Sequence, residues 1–289
     1  MKILLVLLFA LTTQAKVLNF ETARLKSTGG AGVASLLMNE ATISNPAPLA
    51  FFNMGAIYFE KFSADHKVTT KGSETQFDSE NYAFIASDSS RNLKGSIAYI
   101  KSKNGIQKQK LFNLAFASNL GKQTAGGISY RKVLKEYDYN GKRVKEEYKQ
   151  LVPGIYHAIS REFALGVVAI DPLRKNPKES KVIVGMQYQF LRYISLMLDA
   201  GADYKEELSE TSVLRAASQV KIFSDFYMRF GAFEDKALKE RGSGFGIGWV
   251  QPRLVIDFAI KNTKVNEDEI LQQNKEDIKE TSFSLAYRF

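Results

Sequence analysis

The last seven residues, Phe283-Ser284-Leu285-Ala286-Tyr287-Arg288-Phe289, alternate between large apolar side chains and small or polar ones. Phe283, Leu285, Tyr287 and Phe289 share one face, and Ser284, Ala286 and Arg288 the other. A period of two describes a β-strand with one apolar side. Upstream the same pattern returns. Val182, Val184, Met186, Tyr188 and Phe190 oppose Lys181, Gly185, Gln187 and Gln189. Ile194, Leu196, Leu198 and Ala200 face away from Ser195, Asp199 and Gly201, and Leu254, Ile256, Phe258 and Ile260 from Arg253, Asp257 and Lys261. Segments of about ten residues suit tilted strands that cross a membrane, and exceed the usual five or six of soluble sheets.

The spacing predicts strands near 55–64, 80–88, 93–102, 109–118, 123–137, 146–160, 162–171, 179–190, 193–204, 211–223, 225–235, 241–251, 253–263 and 280–289. Between them, long connections such as Asp65–Ser79, Glu136–Lys145, Pro172–Lys178 and Lys264–Lys279 alternate with short ones such as Ser89–Asn92, Arg161, Ser224 and Pro252. Outer-membrane barrels have short periplasmic turns, longer external loops and both termini in the periplasm. The expected fold is therefore all-β, an antiparallel transmembrane β-barrel of about fourteen strands over residues 54–289.

Composition agrees with export and with strands. The 289 residues include 20 Phe and 13 Tyr but one Trp and no Cys, so disulfides, thiolate metal sites and an acylated-cysteine anchor are all excluded. The net charge of +9 comes from basic residues interleaved with acids, as in the stretch KEYDYNGKRVKEEYKQ, and predicts solvated loops with no nucleic-acid partner. Met1 to Ala15, MKILLVLLFALTTQA, has a basic start, an apolar run of about nine and a small residue at its end. This is the pattern of a cleaved secretory signal. The apolar run is short of the roughly twenty residues of a spanning helix. The remaining segment, 16–53, precedes the first strand.

That segment holds Gly29, Gly30 and Gly32 in Thr28-Gly29-Gly30-Ala31-Gly32-Val33-Ala34, then Asn45-Pro46-Ala47-Pro48. A phosphate loop is disfavoured, because no strand precedes the glycines and no Gly-Lys-Ser/Thr follows. Val33 to Ala41 is expected to form a short apolar helix that Asn45-Pro46 stops. An exported segment this apolar belongs inside the barrel, as a hatch.

Gly-Gly-Ala-Gly-Val-Ala, then Glu40 and Asn-Pro-Ala, resembles the start of the FadL-type outer-membrane transporters and of their PorV-type relatives in type IX secretion. The resemblance covers residues 29–50 and implies a fourteen-stranded barrel with an N-terminal hatch formed by Gly29, Gly30, Gly32, Asn45, Pro46 and Ala47. This chain departs from the fatty-acid transporters in its length and its brief external loops. Pro153, inside a strand, removes a ladder hydrogen bond and is expected to kink the wall; in those transporters a wall kink opens a lateral exit. The end of the chain, Phe283, Leu285, Tyr287 and Phe289, is similar to the signature read by the barrel assembly machinery. The expected setting is the outer membrane of a Gram-negative bacterium. The expected partners are its lipid and lipopolysaccharide, the assembly machinery and a small hydrophobic ligand.

Chemistry is sparse. His66 reads as a solvated loop residue and His157 as a strand residue without an acid and a serine beside it, so no enzyme and no cofactor are expected. With the apolar face toward lipid, the lumen should receive Asp199, Asp203, Arg215, Arg229, Asp257 and Lys261, along with Lys181, Lys221 and Arg288. Gly242, Gly244, Gly246 and Gly248 leave one strand bare on that side, making room for the hatch or for a ligand. The leading expectation is hatch-gated uptake or binding of small hydrophobic molecules. The alternatives are a non-transporting structural or secretion-partner barrel and an open diffusion pore.

Overall fold

A computed structural model describes residues 20–70, 73–90, 93–104, 107–139, 142–175, 179–267 and 274–289. The expected export signal, Met1 to Ala15, lies outside them. Fourteen strands form one closed barrel. In chain order they are β1 (Gly55–Thr70), β2 (Ser73–Asp88), β3 (Lys94–Asn104), β4 (Gln107–Asn119), β5 (Thr124–Tyr139), β6 (Lys142–Ala158) and β7 (Phe163–Ile170). Then follow β8 (Lys181–Phe190), β9 (Ile194–Ala202), β10 (Val213–Lys221), β11 (Phe226–Asp235), β12 (Glu240–Val250), β13 (Leu254–Val265) and β14 (Lys275–Arg288). Each strand pairs antiparallel with the next, and β14 returns to β1 from Ala56↔Arg288 to Thr69↔Lys275. Closure leaves no open sheet edge, which is the condition for a sheet to sit in hydrocarbon.

Alternation along β14 separates two environments. Phe283, Leu285 and Tyr287 are 53%, 42% and 48% exposed, while Ser282, Ser284 and Ala286 are 1–2% exposed on the inner side. The outward set continues round the wall with Ile57, Phe84, Tyr99, Phe116, Ile155, Val184, Leu196 and Phe230. A continuous apolar exterior on a closed barrel suits lipid and not water.

Connection lengths depart from the expected beat. β1, β2, β5 and β6 run 16, 16, 16 and 17 residues, where about 9–11 suffice to cross a bilayer. Asp65–Thr70 and Ser73–Ser79 are paired strand, and so are Lys103–Asn104 with Gln107–Lys108, and Glu136–Tyr139 with Lys142–Lys145. The expected loops there are extended hairpins. Their polar side chains on both faces hide the apolar alternation, yet the backbone ladder needs no apolar face to continue. On the same side, true connections occur at 171–180 and at 203–212, the latter carrying a short helix α2 (Leu208–Thr211).

Residues 20–52 lie within the ring of strands. Only Leu36 among them is exposed, by about half, and Ala23, Ala31, Val33, Ala47 and Leu49 are nearly inaccessible. A five-residue helix, α1 (Ala23–Ser27), is capped by Thr22, whose hydroxyl accepts from the Leu25 N–H. Two 3-10 turns follow, Glu40–Thr42 and Ala47–Phe51. The helix expected over Val33–Ala41 is absent. The Val33 N–H bonds to Asp199 of β9 instead, and Ser35 and Ala41 make isolated turn bonds to Gly32 and Leu37.

Candidate functional site

Inward glycines in the wall set the position of the N-terminal segment. A Cβ at Gly244 would come 1.9 Å from the Lys26 carbonyl oxygen, and one at Gly246 would come 2.5 Å from the Ser27 Cβ. At Gly231 it would meet the Thr28 carbonyl carbon at 2.0 Å. So α1 and the turn after it lie against bare backbone of β11 and β12. The opposite wall does the same. Gly127 makes room for Pro46 and Ala47, Gly154 for Asn45, and Gly166 for the Val33 carbonyl. Gly242 and Gly248, by contrast, meet wall atoms: Asn262 and Phe233 at the first, Asp257 and Arg229 at the second. Sequence reading found the glycines of β12 and placed Gly185 on the polar face, but missed Gly127, Gly154, Gly166 and Gly231. Their signal was parity, since each falls on the inward position of its strand.

Side chains of the wall then take up the segment's polar backbone, which would otherwise be buried without partners. The Asp199 carboxylate accepts from the Gly32 and Val33 N–H groups at 2.8 and 3.2 Å. Arg215 donates to the Gly30 carbonyl at 3.1 Å. Gly29 and Gly30 have φ of +60° and +81°, so the turn that offers these groups needs residues without a Cβ. Asn45 donates to the carbonyls of Val33 and Ile155, at 2.9 and 3.0 Å, and its own oxygen accepts from Ala47 N–H at 3.1 Å. On the far side Asn113 and Ser129 both donate to the Thr42 carbonyl at 3.2 Å, and Arg131 to that of Ile43 at 3.0 Å. Wall bonds thus fix the segment on either side of 34–41, at Gly30–Val33 and at Thr42–Ile43, while Ser35 and Ala41 bond within it, to Gly32 and Leu37.

Ion pairs fix the start of the segment. Lys26 Nζ lies 2.9 Å from Glu60 Oε1, with side-chain exposures of 1% and 0%, and the ammonium sits 3.7 Å above the Phe62 ring centroid. Tyr58 and the Ala23 N–H also bond to Glu60. Lys261 donates to Glu21 at 2.7 Å. Burial pushes the Glu21 carboxyl up, but Lys261 and Arg215 outweigh it and hold the group below the usual carboxylate range. Arg229 donates to Asp257 at 2.6 Å and to Gln219 at 2.7 Å.

Of the residues expected in the lumen, Asp199, Arg215, Arg229, Gly244, Gly246, Asp257 and Lys261 lie on inward strand positions against or near the segment. Asp203 does not. β9 ends at Ala202, so parity no longer governs, and Asp203 pairs with Arg174 from the 171–180 connection and accepts from Lys205 N–H. Pro153 leaves the β5 ladder intact, opposite Ile128. Toward β7 the ladder runs only from Ala158 to Gly154, so Pro153 marks where that pairing stops. Inside this point Val33 packs with Val152, Val168 and Ile183.

Among the described residues a cavity lies on each side of the segment. The larger, about 390 Å³, opens on the side away from the termini and is lined by Glu21, Phe62, Lys135, Arg215, Phe233 and Glu280 among others. The smaller, about 220 Å³, lies on the terminal side, with Arg24, Tyr227, Arg229 and Arg288 in its lining. Thr28 and Ala31 face the smaller and Arg215, bonded to Gly30, faces the larger, so the Thr28–Gly32 turn stands between them.

His66 also faces the larger cavity, because β1 extends past the expected loop. Its Nδ1 is 2.7 Å from Glu276 and its Nε2 3.4 Å from the Ser79 hydroxyl, and its ring stacks on Phe77. The register places Ser79 and Glu276 diagonally to His66 on the two neighbouring strands. In outline this is a serine–histidine–carboxylate array. Ser79 pairs with Ala64 of β1 and stands at the end of the β2–β3 pairing, opposite Asn104. His157 shares a hydrogen bond of 2.8 Å with Thr124. Among the described residues no cluster of three or more His, Asp or Glu side chains could hold a metal ion.

No family model and no curated protein matches the sequence. Solved structures do. The toluene transporter TodX of Pseudomonas putida aligns over 94% of this chain and 98% of its own, with a TM-score of 0.68 at 12% identity. A FadL homologue of Pseudomonas aeruginosa gives a TM-score of 0.65 at 12% identity over 94% and 99%. The monoaromatic hydrocarbon channel CymD gives 0.67 at 10% identity over 92% and 96%. The chain therefore has the fold of the FadL-type barrels along nearly its whole length.

Proposed function

We propose that this chain is an outer-membrane barrel for the uptake or binding of small hydrophobic molecules, gated by its N-terminal segment. The observation that carries the proposal is the pair of cavities on opposite faces of the Thr28–Gly32 turn. A channel interrupted at one thin, glycine-rich turn needs only that turn to move. The likeness to a toluene transporter and a monoaromatic hydrocarbon channel supports a hydrophobic substrate class. Phe62, Ala64, Phe233, Leu238 and Ile278 supply apolar surface in the larger cavity.

The test is purification from outer membranes in a mild non-ionic detergent, followed by native mass spectrometry. Retention of a small apolar molecule, lost when Phe233 is replaced by Asp, is the expected result. A stoichiometric protein partner with no small molecule would reject the proposal in favour of a secretion-partner barrel, and recovery in the soluble periplasm would reject the membrane setting.

A further inference from the structure

The smaller cavity has a charge pattern that passage of hydrophobic molecules does not require. Three guanidinium groups line it: Arg24 from α1, Arg229 from β11 and Arg288 from β14. Among the described residues no carboxylate lines it. Among the described residues the acids that act on all three arginines are Asp257 and Glu40, each 3% exposed and outside the lining. Asp257 is already engaged by Arg229 at 2.6 Å and lies 4.0 Å from Arg24, and Glu40 accepts from the Thr22 hydroxyl at 3.2 Å. Three positive groups face two negative ones, leaving one unit of positive charge. Gathering like charges in a place of low dielectric is costly unless an anion joins them.

Hydrogen-bond capacity agrees. Among the described residues Arg24 meets its acid, Asp257, only at 4.0 Å, so the guanidinium that lines the cavity keeps donors the protein leaves unused. Gln187, Gln189 and Tyr227 add neutral polar groups around the same space, while Leu37, Met197 and Val250 supply an apolar side. The cavity therefore joins a cationic end to an apolar flank.

We infer that the cavity bounded by Arg24, Arg229 and Arg288 is a binding site for a small organic monocarboxylate. The guanidinium groups of Arg24 and Arg288 hold the carboxylate, and its hydrocarbon part lies against Leu37, Met197 and Val250. Arg229, fixed by Asp257 and Gln219, supplies field and not direct contact. A monoanion balances the surplus charge, whereas a phosphate dianion overshoots it. The site does not depend on transport, since it would bind its ligand in a barrel that never conducts.

The test is calorimetric titration of the full-length protein in non-ionic detergent with benzoate, benzyl alcohol and inorganic phosphate. Benzoate should bind, and benzyl alcohol, of similar shape without the charge, at least tenfold more weakly. Arg24→Gln and Arg288→Gln should each weaken benzoate at least tenfold while the band on an unheated gel keeps its folded mobility. The first lies off the barrel wall and the second at the end of β14, so a folding defect in one leaves the other informative. Equal binding of benzyl alcohol, phosphate binding as tight as benzoate, or benzoate binding unchanged in both variants would overturn the assignment.

Discussion

Phe289 closes the barrel on Gly55. The two residues exchange backbone hydrogen bonds of 2.9 and 3.0 Å, and the Phe289 ring fills the place where a Cβ of residue 55 would stand, 2.4 Å from the nearest ring carbon. The ends of the barrel sequence thus meet through an aromatic ring lying on a glycine. The same ring stacks on Tyr287, 6.5 Å between centroids. A bulky residue at 55 and a polar one at 289 should damage the same contact from opposite sides.

Phe289→Asp and Gly55→Leu are both predicted to lower the yield of folded barrel sharply. The aspartate puts a charge on the lipid-facing side, and the leucine displaces the Phe289 ring from its seat on residue 55. Gel mobility without boiling reads the folded fraction. Normal yield for both variants would separate this contact from assembly.

Gly244 tests the seating of α1. A Cβ there would lie 1.9 Å from the Lys26 carbonyl, a backbone atom that cannot rotate away. Gly244→Val should push the segment off the wall while β12 gains a residue well suited to strands. Arg24 and Lys26 are shielded in the native protein, so trypsin should cut there in the folded variant and not in the parent. Equal resistance in the two proteins would show that the segment does not rest on this wall.

These glycines also show what the sequence could and could not reveal. All fourteen strands were legible, because lipid on one side and a packed lumen on the other enforce a period of two. The inward parity of Asp199 could be read from its outward neighbours Leu198 and Ala200. Gly127, Gly154 and Gly166 escaped notice because a glycine in a strand reads as weak strand former, and its purpose emerges only when Ala47, Asn45 and Val33 are seen against it. The path of residues 33–43 was illegible for a related reason. Their partners, Asp199, Asn113 and Arg131, are distant in sequence, so local helix propensity was the only available guide. The three extended hairpins were read as loops because their strand ends carry polar residues on both faces.

The buried pair Lys26–Glu60 should dominate the segment's stability. Removing one member of a buried pair leaves the other charge without its counter-ion and costs about 3–5 kcal/mol. Lys26→Met should therefore lower the temperature at which the folded gel band disappears. The double variant Lys26→Met/Glu60→Gln should recover part of that loss, because no lone charge remains. Additive losses would mean that Tyr58 and the Ala23 N–H satisfy Glu60 by themselves.

Acid should loosen the segment through Glu21. Its carboxyl is held below the usual range by Lys261 and Arg215, so ionisation binds the segment more tightly than it would in an unfolded chain. A depressed acid of this kind contributes fully above the unfolded value of about 4.3 and loses its contribution as pH falls through the lower folded value. Pepsin cleavage within residues 20–32 should rise over that interval, and Glu21→Gln should remove the pH dependence. A profile unchanged by Glu21→Gln would assign the transition to another group.

Deleting residues 29–50 tests the proposed gating as a whole. The deletion removes the Gly29–Gly32 turn between the two cavities, together with the Asn45 and Thr42 contacts to the opposite wall. A fourteen-strand barrel is too wide for its inward side chains alone to fill. Vesicles carrying the intact protein should pass small sugars slowly, and the deleted form, once shown to fold by its gel mobility, should pass them at least tenfold faster. Leaving the segment in water would expose its apolar surface at about 25 cal/mol per Å², so spontaneous release should be rare. Rapid flux through the intact barrel would instead mark it as an open pore. Absence of flux through the deleted form would show that wall side chains such as Arg215, Lys261 and Arg229 block the lumen without help, and would favour the secretion-partner reading.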